Sequence, residues 1–201
     1  MKTAYRWWTI LLAFVLAFSL CVAPAPRSTV LADSTVQTLP FSQDWSNTGL
    51  ITANDIWSGV PGIVGYLGNN DLTSINDVDP QTILTFGSGT MDVNANQTNP
   101  NTYTAGGVAE FHIANPIVAL QGSGTADAPF LLINIDTTGK VDIGVFYTLR
   151  DIDGSTDNAV QQVALQYRVG SSGDFTNIPE AYVADATEGP SLSGGAIPVT
   201  A

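Results

Sequence analysis

In Val141-Asp142-Ile143-Gly144-Val145-Phe146-Tyr147-Thr148-Leu149-Arg150, every odd-numbered residue from Val141 to Leu149 carries an apolar or aromatic side chain, and Asp, Gly, Phe, Thr and Arg fill the even positions. A period of two over nine residues is the pattern of a half-buried β-strand, because successive side chains on an extended chain point to opposite faces. Val163, Leu165, Tyr167 and Val169 repeat it against Ala164, Gln166 and Arg168. Ser171-Ser172-Gly173-Asp174 and Asp157-Asn158 supply turn chemistry, which predicts a meander over residues 141–178.

Working outward, Phe130-Leu131-Leu132-Ile133-Asn134-Ile135 is nearly all apolar and is expected to be a central strand covered on both faces. Ala109, Phe111 and Ile113 form one face of a further strand, with Glu110 and His112 on the other; residues 117–120 and 82–86 are shorter candidates. No stretch after Leu39 shows helical periodicity, and Gly, Asp and Asn punctuate the chain throughout. Many short strands without crossover helices predict an all-β fold, an antiparallel jelly-roll-like β-sandwich. Gly87-Ser88-Gly89-Thr90-Met91-Asp92 returns as Gly122-Ser123-Gly124-Thr125-Ala126-Asp127, a single echo that reads as a reused turn.

Ahead of this body, Lys2 and Arg6 precede an apolar run from Trp7 to Phe18 that continues to Ala23, and Val30-Leu31-Ala32 places small or short residues before Asp33. Positive flank, apolar middle and small residues at the cut are the parts of a secretory signal peptide. Residues 1–32 are therefore predicted to be a signal peptide and residues 33–201 a single secreted or cell-surface β-sandwich domain. The competing reading is an uncleaved membrane anchor, for which the apolar stretch is at the short limit. Leu20 stands where a lipoprotein signal beside Cys21 wants a small residue. The final Ala196-Ile197-Pro198-Val199-Thr200-Ala201 reads as the opening of a strand without a closing turn, so the expectation is a fragment whose last strands lie further on.

The chain has 201 residues with 6 basic and 18 acidic side chains. Removing residues 1–32 takes away three basic residues and no acidic one, leaving a net charge of −15. That charge argues against an electrostatic grip on nucleic acid or on an anionic membrane surface. It also removes Cys21, the only cysteine, so the mature chain has neither a disulfide nor a thiolate site.

His112 is the only histidine. It cannot supply the paired imidazoles of a zincin, and no GxSxG, P-loop or GxGxxG motif is present. Glu110 and His112, two apart on one strand face, could form an acid–base pair; the plainer reading is two polar residues on the solvated side of a strand. A glycosidase needs two converging carboxyls, which spacing cannot pick out among so many Asp. Asp151, Asp153, Ser155 and Asp157 place short oxygen ligands at alternate positions around Gly154, a pattern a calcium ion accepts. The loop departs from an EF-hand in the place of its glycine and in having Gln162 where the bidentate Glu belongs, so a plain hydrophilic hairpin loop competes. Asp71, Asp77 and Asp79 form a looser set. Trp45 and Trp57 could stack on sugar rings if exposed or anchor a long loop if buried. The amides of Asn94-Ala95-Asn96-Gln97-Thr98-Asn99-Pro100-Asn101 could meet the hydroxyls of an extracellular glycan, or form only a loop.

Leu39-Pro40-Phe41-Ser42-Gln43-Asp44-Trp45-Ser46, Trp57-Ser58-Gly59-Val60-Pro61-Gly62, the Asn-rich stretch and Leu165-Gln166-Tyr167-Arg168-Val169-Gly170 with Phe175-Thr176-Asn177 resemble an N-terminal β-sandwich module of large secreted bacterial proteins. In such proteins the module precedes Ig-like repeats, lamin-tail-like domains or an extracellular nuclease domain of the endonuclease/exonuclease/phosphatase type. The resemblance implies export and a sandwich fold, and transfers no catalytic residue. The functional expectation is a non-catalytic binding or spacer module, directed at a cell-surface or extracellular glycan. The alternative is the accessory domain of an extracellular nuclease or other hydrolase; a free-standing glycan-active enzyme is a third possibility.

Overall fold

The computed structural model describes residues 32–70, 78–87, 89–154, 160–187 and 197–201. The predicted signal peptide and its cut, except for Ala32 and Asp33, lie outside these residues, as do Asp71, Asp77, Ser155, Asp157 and Asn158. Among the described residues the chain is β-structure and turns with no α-helix, and no helix is long and apolar enough to cross a membrane. Eleven short strands occur: β1 (Gln37–Thr38), β2 (Ile63–Tyr66), β3 (Asn94–Gln97), β4 (Gly107–Phe111), β5 (Ile117–Gln121), β6 (Phe130–Ile133), β7 (Ile135–Asp136), β8 (Phe146–Leu149), β9 (Gln166–Tyr167), β10 (Thr176–Asn177) and β11 (Ile197–Thr200). They form one three-stranded sheet, β3-β4-β5, and four two-stranded ribbons, β2-β6, β8-β11, β9-β10 and β1-β7.

Four pairings are antiparallel, as expected, but β1-β7 and β3-β4 are parallel. The segment 98–106 joins β3 to β4 by way of a 3₁₀ turn at Pro100–Thr102, a shorter link than a parallel pair usually has. The Asn-rich stretch is thus a strand for its first half, not a loop throughout. Asn94 pairs with Ala109 and Gln97 with Phe111, and the register slips between them. Asn96 takes up the slip in a left-handed conformation (φ 59°), which an Asn tolerates better than most residues.

β4 is the centre of the molecule, with all five residues buried. On one side Val108 joins Ile51, Trp57, Val60, Ile63, Val64, Val93, Ala95 and Val118 in the larger apolar cluster. On the other, Ala109 and Phe111 pack with Ile152, flanked by Tyr103, Ile113 and Ile117. The central strand expected at 130–135 is instead two short pieces; β6 pairs only with β2, and Ile133 is 48% exposed. The long alternating strand is likewise shortened. Only its second half, β8, forms a ladder, while Val141 is 82% exposed and Asp142 is left-handed (φ 52°). Residues 82–86 form no strand. Leu84 accepts the Phe175 N–H at 2.9 Å, so this segment lies along the approach to β10. The six-residue echo makes two different contacts: Met91 bridges Tyr66, whereas Ala126 bridges Ser123.

The β9-β10 hairpin closes where the Ser-Ser-Gly-Asp turn was expected and is fastened by amides. Gln166 Nε2 donates toward the carbonyls of Pro80 and Ile83 and to Asn177 Oδ1, and Asn177 Nδ2 donates to the Gln81 carbonyl at 2.8 Å. The Arg168 guanidinium lies between Phe86 and Phe175, 4.7 and 4.5 Å from their ring centres. Phe86 in turn touches the stacked pair Tyr66 and Phe130, which ties this hairpin to the β2-β6 ribbon.

Candidate functional site

Glu110 and His112 alternate with Phe111 along and just beyond β4, so they share a face, as their spacing predicts. That face is not solvated throughout: Glu110 is 4% exposed, whereas His112 is part-exposed. The chain that carries Thr52, Asn54 and Asp55 runs beside β3 and fastens itself onto it. Asn54 Oδ1 accepts the Ala95 N–H at 3.0 Å, Asp55 Oδ1 accepts the Val93 N–H at 3.2 Å, and the Asp55 N–H donates to the Val93 carbonyl at 3.0 Å. Alternation told which residues share a side but not what would cover it.

The buried carboxylate has two neighbours. Its Oε2 accepts the Asn96 N–H at 3.2 Å, a group that the register slip in β3 turns toward it. The same oxygen lies 3.0 Å from His112 Nε2, with the ring N–H not lined up with the acceptor. The His112 backbone N–H donates to the Gln97 carbonyl at 2.7 Å and continues the β3-β4 ladder. This arrangement can satisfy a buried charge and lock the irregular β3 onto β4. General acid–base work also needs a substrate beside the carboxyl, and here the carboxyl faces backbone and core.

A second internal carboxylate, which the sequence reasoning did not single out, lies at Asp92. Its Oδ2 accepts the Val108 N–H at 2.6 Å, and its own N–H and carbonyl bond the Gly65 carbonyl and Trp57 Nε1. Burial pushes the Asp92 carboxyl above the ordinary carboxylate range; the Val108 bond opposes this and the charge of Asp55 adds to it. Gly107, beside it with φ 105°, is a position where a Cβ would collide with Asp92 Oδ2, so the close approach requires glycine. The signal that could have found Asp92 is the Gly106-Gly107 pair opening a strand.

Of the two described tryptophans, Trp57 belongs to the core and Trp45 is part-buried against it. Trp57 is fully buried, and Trp45 packs on it edge to face with ring centres 6.4 Å apart. Several of the Asn-rich amides are likewise engaged inside the chain: Asn99 Oδ1 accepts the Asn101 N–H, Gln97 Nε2 donates to the Ala95 carbonyl, and Asn101 Oδ1 accepts the Gly154 N–H at 2.8 Å. That last bond brings the Asn-rich and Asp-rich segments together. Asp151 Oδ1 accepts the Asp153 N–H at 2.9 Å, and Ile152 between them is buried against Phe111. Of the four calcium candidates, Asp151 and Asp153 are thus neighbours in a tight turn, while Ser155 and Asp157 lie outside the described residues. Among the described residues no three His, Cys, Asp or Glu side chains are placed to hold a metal ion.

Beside this junction runs an open groove of about 370 Å³ lined by Asn99, Pro100, Asn101, Ile113, Ala114, Asn115 and Arg150. Arg150 is positioned by donating to the Asn115 carbonyl at 2.6 Å. The sequence placed an amide-bearing segment here but gave no sign that Arg150 would line the same groove. No protein family, curated protein or solved structure matches this chain.

Proposed function

We propose that this chain is a secreted, non-catalytic β-domain that serves as a binding or spacer module of a larger extracellular protein. The observation that carries the reading is the burial of Glu110 beside a part-exposed His112: the carboxyl of the acid–base pair that the spacing suggested accepts the Asn96 N–H and so fastens β3 to β4. Asp92, Asp55 and Asn54 likewise each accept a backbone N–H from another segment of the chain. The finer architecture belongs to the same proposal: a jelly-roll-like sandwich whose layers meet at β4, a strand with apolar clusters on both faces.

The ligand face is the groove between the Asn-rich segment and Arg150, and its ligand class is an extracellular or cell-surface glycan. The wall of the groove is mostly apolar, which suits the face of a sugar ring, and the Asn99, Asn101 and Asn115 side chains and the Arg150 guanidinium around it suit hydroxyls. The test is a glycan panel probed with the exported protein after N-terminal sequencing. The expected result is a first residue of Asp33 and retention by a subset of glycans that Arg150→Gln weakens. Retention by none would reduce the role to that of a spacer, and a retained N-terminal segment would overturn export by cleavage.

A further inference from the structure

We propose that this chain pairs with a second copy of itself, β8 edge against β8 edge, about a two-fold axis at Phe146. Val145 and Ala201 exchange both backbone hydrogen bonds, at 2.7 and 2.9 Å. Antiparallel ladders alternate between such pairs and pairs whose backbone groups point away. Tyr147 with Val199 is therefore the next bonded pair, and Phe146, Thr148, Pro198 and Thr200 turn their backbone groups outward. The β8-β11 ribbon has no third strand among the described residues.

Its two edges differ. On β11 the outward position Pro198 has no N–H to offer, a usual protection of a free edge. On β8 the outward groups of Phe146 and Thr148 are complete. The Phe146 side chain there is 75% exposed, with Val141 and Ile143 exposed just before it. The open edge is thus the apolar one.

Charge favours a second copy as the occupant. Antiparallel pairing centred on Phe146 sets Phe146 opposite Phe146, Gly144 opposite Thr148, and Asp142 opposite Arg150 of the other copy, twice by symmetry. Arg150 is one of only three basic residues after Asp33, so this match is not a consequence of abundance. Asp142 is left-handed, so the ladder is confined to the residues around Phe146, and the charge match is between Asp142 just before it and Arg150 just after it, whose guanidinium also donates to the Asn115 carbonyl of its own chain. A two-fold contact of this kind is self-complementary and closes on itself. The large net negative charge of each copy opposes the contact at low salt and is screened at about 0.15 M.

The test uses the exported protein, which begins at Asp33 and so lacks Cys21, and any introduced thiol is the only one. Sedimentation at rising concentration should show a monomer–dimer equilibrium. Phe146→Cys should cross-link under mild oxidation, because bonded partners at the axis have Cα atoms about 5.5 Å apart, within disulfide reach. Thr148→Cys should not, since that residue faces Gly144 of the other copy. Thr148→Pro removes an outward N–H that the single chain does not use. It should weaken dimerisation at least about tenfold while leaving the melting temperature of the monomer unchanged. A monomer at every concentration, equal cross-linking by both cysteines, or undiminished dimerisation of Thr148→Pro would each overturn the proposal.

Discussion

Replacing Glu110 by Ala removes the acceptor of the Asn96 N–H and the partner of His112 from a site that is 4% exposed. The N–H is left buried without a partner, which costs about 1–3 kcal/mol. The missing side-chain carbons add roughly 0.8 kcal/mol for each buried methylene. The larger penalty of a stranded buried ion does not apply, because the remaining imidazole can be neutral and is part-exposed. The sum is a loss of about 2–4 kcal/mol. Glu110→Gln keeps the volume and a carbonyl for Asn96, and so is expected to cost less than about 1 kcal/mol. Urea unfolding of the two variants beside the parent, with the slope m held common, measures both. A Glu110→Ala loss below about 0.5 kcal/mol, the range of an ordinary surface substitution, would refute the enclosure of this carboxylate. Equal losses for Ala and Gln would refute the role given to the Asn96 bond.

Gly65→Ala would drive a Cβ into the Trp57 indole and to 2.8 Å from the Asp92 carbonyl. It should destabilise by about 1–3 kcal/mol, the usual cost of overpacking, with a change in Trp fluorescence; a neutral effect would mean that Trp57 does not pack there. Asp92 has its folded pKa raised, mainly by burial, so the folded state holds its proton more tightly than the unfolded one. The resulting stability is complete below the unfolded pKa and is lost as pH rises through the folded one. Asp92→Asn should therefore gain on the parent as pH rises from about 3 to 7, and a difference independent of pH would contradict the shift. Calcium held by Asp151, Asp153, Ser155 and Asp157 requires a melting temperature that falls on chelation and a response that Asp153→Ala abolishes. An unchanged midpoint removes that site.

The all-β character was legible because period-two alternation is a local property, and β8, β4 and the β9-β10 hairpin lie where it pointed. What alternation could not tell is how many neighbours each strand acquires. The 130–135 run is as apolar as a central strand yet pairs on one edge only, and β4, with a Glu in its middle, is the strand enclosed on both faces. That reversal depends on long-range partners, β3 and β5 at its edges and the clusters that include Trp57 and Ile152 on its faces, none of which a local pattern encodes. The parallel β3-β4 pair was hidden for a related reason: the slip at Asn96 and the 3₁₀ turn at Pro100–Thr102 allow a short link that general rules for parallel strands disfavour. At the site, the sequence identified Glu110, His112 and the Asn-rich stretch as the residues to watch. The reading of this face as solvated fails for Glu110, which is buried with its carboxyl on the Asn96 N–H, and holds in part for His112, which keeps some exposure.

The measurement that bears most directly on the account is a combined retention and hydrolysis assay. The exported protein is incubated with the glycans it retains, and bound polysaccharide and newly formed reducing ends are counted together. Burial of the Glu110 carboxyl predicts retention with no reducing ends above the blank, unchanged by Glu110→Gln. Release of reducing ends that Glu110→Gln abolishes would contradict it, and would make the pair an active site.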